Sequence, residues 1–240
     1  MSHPERIIPD ETEPGVVALH LKRYAFAEPW CGGRDVLDVA CGAGYGTAAL
    51  AESARNVVGG DLDEGAIAYA ARRYGRPNDR FEVVDAQALP YGAASFDTVC
   101  SFETIEHLAR PEALVREAAR ILRPDGTWLV STPQAAETTH APENPFHRVE
   151  FARDDFVRLL EAGFAHVELY GQRRLETRRH RLLRRLDVLG LRRRSRLLRR
   201  ASAVTGTPAI EFATADDVAI ERSDLDRASE LYAVCTRPRT

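Results

Sequence analysis

A chain of 240 residues, 44% of them hydrophobic, carries enough apolar side chains for one α/β domain with a sizeable core. It has no continuous apolar run of membrane-spanning length, and its polar start, "MSHPERIIPDETEPG", lacks the basic and apolar parts of a secretory signal, so a cytoplasmic location is expected. The net charge of −3 conceals an imbalance: residues 172–200 hold thirteen arginines against Glu176 and Asp187, a local +11, which leaves −14 on the rest.

Residues 1–14 read as an irregular arm. Residues 15–27, "GVVALHLKRYAFA", read as an amphipathic helix, with Val16, Leu19, Ala25 and Phe26 near helical spacing; arm and helix together fill 1–30. Residues 35–40 form a strand, apolar apart from Asp38 as in a buried parallel sheet. An alanine-rich helix follows at 45–54, then a second strand at 57–60 that ends at Asp61. Gly75 and Pro77 stop the next helix, 63–74, and a third strand, 81–84, ends at Asp85. The pattern repeats with a strand at 96–101, a helix at 111–122 with Pro at its start, the turn "RPDGT", and a fifth strand at 128–131. A long loop, 132–149, precedes a helix at 153–162 and a strand at 164–170. The arginine tract comes next, and a last strand occupies 231–235. Alternating strands and helices predict one α/β domain over 1–240. Its sheet is open and mostly parallel, with helices on both faces and an insertion at 172–228 between the last two strands. In such sheets ligands bind beyond the carboxyl ends of the strands.

The first strand runs into "ACGAGYG", with Gly42, Gly44 and Gly46 at alternate positions. Glycine permits positive φ and lets the backbone approach a ligand, and the following helix directs free N–H groups at it. Asp61 follows Gly42 by nineteen residues, where a carboxylate suits vicinal ribose hydroxyls; Asp85, one strand further on, suits an adenine amino group. The dinucleotide pattern G-x-G-x-x-G fits less well, because position 47 is Thr. Three strand tips offering glycines, an acid and an acid fit an adenosine that bears a small zwitterion.

The constellation resembles the class I S-adenosylmethionine (SAM)-dependent methyltransferases. Asp38-x-Ala40-x-Gly42-x-Gly44 matches the family's first motif, and "GGDLDEGAI", "VVDAQALPYGAASFDTVCSFETIEHL" and "ILRPDGTWLVSTP" match later ones. The likeness covers about residues 15–171 and the final strand. It implies a Rossmann-like sheet of seven strands and SAM as cofactor. Asp38, Gly42 and Gly44 would frame the methionine portion, with Tyr24 or Arg23 closing over it. Asp61 would hold the ribose, Leu62 the adenine face, and Asp85 and the Ala86 backbone the adenine edge.

For the acceptor, the resemblance places the Glu106–His107 pair of "FETIEHL" near the methyl group, with His107 as a candidate base. "NPFHRVEF" resembles a segment of a subgroup associated with sugar and glycan pathways; His147 and Glu150 either form a pair there or Glu150 supports a helix start. Nothing in the spacing of His107, His147 and Glu150 demands a metal, and Cys31, Cys41, Cys100 and Cys235 lack zinc spacing and read as reduced thiols. The tract from 173 to 200 reads as two basic amphipathic helices. They suit an anionic acceptor, an acidic membrane surface, or pairing with the acidic segment after them. No aromatic residue interleaves them, which counts against nucleic acid. The sequence therefore points to methyl transfer onto a hydroxyl of a small molecule, sugar or lipid-linked precursor. An N-methyltransferase of an amine, or a SAM-binding docking protein without transfer, are the competing readings.

Overall fold

The computed structural model describes residues 6–12, 14–174 and 218–239. The chain opens with helix α1 (Pro14–Ala27), strand β1 (Asp35–Val39), α2 (Tyr45–Leu50), β2 (Asn56–Asp61), α3 (Glu64–Tyr74) and β3 (Asp79–Val83). It continues with β4 (Phe96–Phe102), α4 (Pro111–Ile121), β5 (Leu122–Ala135), the two-residue β6 (Phe151–Ala152) and α5 (Arg153–Glu161), and closes with β7 (Phe164–Arg174), β8 (Val218–Glu221) and β9 (Glu230–Pro238). Each strand expected from the sequence is present. The order across the sheet is β3-β2-β1-β4-β5-β9-β7-β8, with β6 paired to β5. The ladders from β3 through β5 are parallel, whereas β9 runs antiparallel to both β5 and β7. This is the Rossmann-like class I methyltransferase arrangement, here extended by β8 at the edge.

Successive residues of the buried strands serve opposite faces, as the period of two requires. Leu37, Val58, Val99, Trp128 and Ala233 belong to one apolar layer, which packs under α4 and α5 through Leu114, Ala118, Phe156 and Leu160. Their chain neighbours Val36, Val57, Cys100, Leu129 and Val234 belong to the other, beneath α1 and α2 through Tyr24, Ala27 and Leu50. Both faces are dry, which explains why these strands read as continuous apolar runs. All four cysteines are buried free thiols.

Two segments differ from expectation. "RPDGT" lies inside β5 rather than before it: Phe96 pairs with Leu122 and Thr98 with Thr127, so the extra residues bulge within one strand. The strand after α5 continues through Gln172 and Arg173, which pair with Ile220 and Ala219 of β8, so the start expected for the insertion is sheet edge. The expected basic helices over 175–200 lie outside the described residues. Arg173 itself bonds the acidic segment, at 2.8 Å to Glu221 and 3.0 Å to Asp224.

Strand order reverses between β1 and β4: the chain moves outward from β1 to β3 and returns to β4 on the other side of β1. A crevice opens at such a switch point beyond the strand ends.

Candidate active site

The loop after β1 turns with three positive φ values within five residues, Ala40 at 58°, Gly42 at 56° and Gly44 at 83°. Left-handed backbone costs a non-glycine residue about 1–2 kcal/mol, so Ala40 is strained and the two glycines are not. The glycines have different neighbours. A Cβ on Gly42 would meet nothing within 4 Å, and Gly42 lines a cavity of about 750 Å³. A Cβ on Gly44 would come within 2.5 Å of the Ala70 methyl; Gly44 sits at the N-terminus of α2, away from the cavity lining. A Cβ on Gly46 would fall 1.9 Å from the Tyr24 ring. One glycine is therefore bare for a ligand and the other two are bare for packing.

Asp38 is fully buried beneath this turn, where it accepts from Thr47 Oγ1 at 2.7 Å and from the Tyr24 hydroxyl at 3.5 Å. Burial raises its carboxyl to about 7 against those two hydrogen bonds, helped by the charge of Asp61. Asp38 does not line the cavity; it fixes Tyr24, which does. At the β2 tip, Asp61 accepts from the Gly42 N–H and the Asp63 N–H, both at 2.9 Å, tying two loops together. Asp63 caps α3 by accepting from the Ala66 N–H, and Arg6, 2.7 Å away, holds its carboxyl down to about 2. Leu62, an apolar side chain left 71% exposed, lies on the cavity rim. Asp85 and Ala86 line the cavity at the next tip, where Asp85 also stabilises its own turn by accepting from the Gln87 N–H.

The opposite wall comes from the end of β4 and the loop after β5. Glu103 is left-handed at φ 50° and bonded by Ser131 Oγ at 2.7 Å. Glu106 is buried; one carboxylate oxygen accepts from Thr132 Oγ1 at 3.2 Å and the other, Oε1, has no hydrogen-bond partner. The Arg148 and Val149 N–H groups donate to the Glu106 carbonyl, which docks the distant loop here. That docking brings His147 to His107, ring centroids 4.9 Å apart and edge to face. His107 Nδ1 contacts the Phe146 carbonyl at 3.0 Å, while His147 Nδ1 contacts Glu150 Oε1 at 2.8 Å. His147 and Glu150 thus form the pair that was one of two expectations. His107 lines the cavity and His147 stands behind it; His140 lies exposed, outside the group.

Arg6, His20 and Glu103 are among the cavity residues that sequence reasoning missed. Arg6 of the arm reaches Asp61 at 3.4 Å. His20 is kept neutral, its pKa lowered to about 3 by burial and by Arg23. Glu103 had a signal: like Asp61, it is an acid just past a strand end. Arg23 lines the cavity beside Tyr24, held by Glu230 at 3.0 Å and by the Tyr232 hydroxyl at 3.0 Å.

The cavity fits SAM. Its volume is that of a cofactor site, its glycine backbone faces open space at Gly42, its exposed apolar side chain sits at Leu62, and its acids stand at successive strand tips.

Residues 37–130 match a family model described as a methyltransferase domain. A protein of Mycobacterium tuberculosis named a probable S-adenosylmethionine-dependent methyltransferase is 41% identical over 174 residues, 70% of this chain and 62% of its own length. A ubiquinone biosynthesis O-methyltransferase of Paracidovorax citrulli is 38% identical over 104 residues, 42% of this chain and 44% of its own. The chain thus spans less than two thirds of the length of these relatives. Among solved structures, the [4+2]-cyclase SpnF superposes with a TM-score of 0.60 at 22% identity, over 92% of this chain and 81% of that one; it shows the fold alone.

Proposed function

We propose that this chain, whose residues 37–130 match a methyltransferase-domain model, is a SAM-dependent methyltransferase that transfers a methyl group to a hydroxyl of a small molecule, sugar or lipid-linked precursor. The observation that carries the proposal is one continuous cavity, with Gly42, Asp61 and Asp85 along one side and His107 on the other. SAM supplies a methyl group already activated on a sulfonium. Asp61 accepts from the ribose hydroxyls, the Leu62 side chain covers the adenine, and Asp85 with the Ala86 N–H takes the adenine edge. Gly42 and Tyr24 receive the methionine end, Asp38 holds Tyr24 in place, and Gly44 sets the helix start that completes the turn.

On the far wall, the His107–His147 pair handles the acceptor hydroxyl, whose proton must leave as the oxygen becomes a nucleophile. Each Nδ1 is engaged by an oxygen, and Nε2 of His147 contacts the Asn144 amide at 3.0 Å. The name of the P. citrulli relative supports O-methylation over N-methylation. No helix among the described residues is long and apolar enough to cross a membrane. A lipid-linked acceptor would be met by the arginines of 173–200.

Labelled methyl transfer from SAM, screened against hydroxyl-bearing sugars, lipid-linked sugars and small phenols, tests the reading. Label in an alkali-stable ether product supports it. Label only in amines, or in nothing while SAM still binds, removes it.

A further inference from the structure

On the acceptor wall, Glu106, His107 and His147 each offer a donor atom, and these atoms lie within 4.8 Å of one another. Two imidazoles and one carboxylate, from two segments forty residues apart, make the three-ligand set of an open metal site, in which a fourth position stays available. The second shell is also in place. A ligating imidazole needs its other nitrogen fixed by an oxygen. Here the Phe146 carbonyl engages Nδ1 of His107 and the Glu150 carboxylate engages Nδ1 of His147. Nε2 is then the ligand atom each ring would offer, and His107 Nε2 already stands 3.9 Å from Glu106 Oε1.

The strongest sign is Glu106 itself. Its residue is fully buried and its Oε1 lacks a hydrogen bond, although the other oxygen has one. Leaving such an oxygen unmatched is costly. A divalent cation would supply the partner that this oxygen lacks. Around an ion with bonds of about 2.1 Å, ligand atoms sit roughly 3.4 Å apart, so a closure of up to about 1.4 Å suffices. The Asn144 amide, 3.0 Å from His147 Nε2, would have to swing aside.

We infer that Glu106, His107 and His147 bind one divalent transition-metal ion, whose open position faces the cavity where the acceptor oxygen enters. This deepens the proposed function and rests on it: the histidine pair then serves the hydroxyl through the ion, which lowers the pKa of a bound oxygen, rather than by taking the proton directly. Two imidazoles favour Zn²⁺, Co²⁺, Ni²⁺ or Fe²⁺ over Mg²⁺ and Ca²⁺.

The test is Co²⁺ titration of the full chain, freed of metal by chelation and followed by visible absorption. We expect saturation at one Co²⁺ per chain, displacement by Zn²⁺ and none by millimolar Mg²⁺. Glu106→Gln and His147→Ala each weaken binding by about 100-fold or more, and Glu150→Gln, which touches only the second shell, by about 10–100-fold. SAM calorimetry on each variant confirms that the cofactor side is folded, and His147→Ala, at a partly exposed position, keeps the test open if Glu106→Gln does not fold. Asp61→Ala should keep Co²⁺ while losing SAM. No saturable Co²⁺ binding, or equal binding by wild type and both ligand variants, overturns the inference. Methyl transfer that survives thorough chelation overturns the ion's role while leaving the proposed function standing.

Discussion

The two walls of the cavity are built by different means. The β1–β3 tips are joined over short stretches of chain: the Gly42 N–H meets Asp61 nineteen residues on, and Asp63 and Asp85 bond within their own turns. The β4–β5 wall depends on the loop after β5, with Thr132 twenty-six residues from Glu106 and Phe146 thirty-nine from His107. The first wall satisfies its acids with hydrogen bonds; the second keeps a buried carboxylate oxygen without one. A ligand of constant shape suits backbone and tight turns, whereas an acceptor wall needs side chains that tertiary packing brings together.

If the walls are separable, variants in one should leave the readout of the other alone. The largest effect is expected from His107→Ala. It should lower turnover on an accepted hydroxyl substrate by about 10³-fold, within the usual range for loss of proton handling, with calorimetric SAM affinity unchanged. A parallel loss of SAM binding would merge the two walls.

Asp38→Asn comes second, in stability rather than catalysis. With its pKa raised from 3.8 to about 7, Asp38 makes the folded chain bind more protons than the unfolded chain between those values. Its contribution to stability is therefore full at low pH and falls as pH rises through that window. Asn lacks this dependence, so urea unfolding should show Asp38→Asn gaining on wild type from pH 4 to 7, by at most about 4 kcal/mol. A flat difference would mean Asp38 is ionised.

Asp61→Ala should weaken SAM by about 100-fold, about 2.7 kcal/mol, without altering Co²⁺ binding. Gly46→Ala sharpens the point that this glycine answers to packing. Its methyl would overlap the Tyr24 ring, and the overpacking should cost about 1–3 kcal/mol in thermal or urea unfolding. Unchanged stability there would show that Tyr24 moves freely.

The same contrast explains what could be read from the sequence. The strands, the glycine turn, Asp61 and Asp85 were legible because each signal is local: an apolar run, a glycine spacing, an acid at a strand end. Gly44 was placed in the right turn, but its neighbours Ala70 and Phe81 arrive from α3 and β3, so its packing role was not legible. "RPDGT" has turn composition and became a bulge because β4 and β9 pair on either side of β5. On the β4–β5 wall His107 and His147 were visible as residues, but their meeting depends on the Arg148 and Val149 N–H groups finding the Glu106 carbonyl, which no local pattern encodes. Arg6 was invisible for the same reason: it belongs to an arm whose contact with Asp61 spans 55 positions.

The central claim is that adjacent strand tips hold the adenosyl part of SAM. A crystal structure of the chain with S-adenosylhomocysteine tests it most directly. The account expects Asp61 on both ribose hydroxyls with Arg6 displaced from it, the adenine against Leu62 with its edge at Asp85, and the homocysteine end over Gly42. A ligand bound elsewhere, or one bound here with Asp61 still paired to Arg6 and away from the sugar, would contradict it.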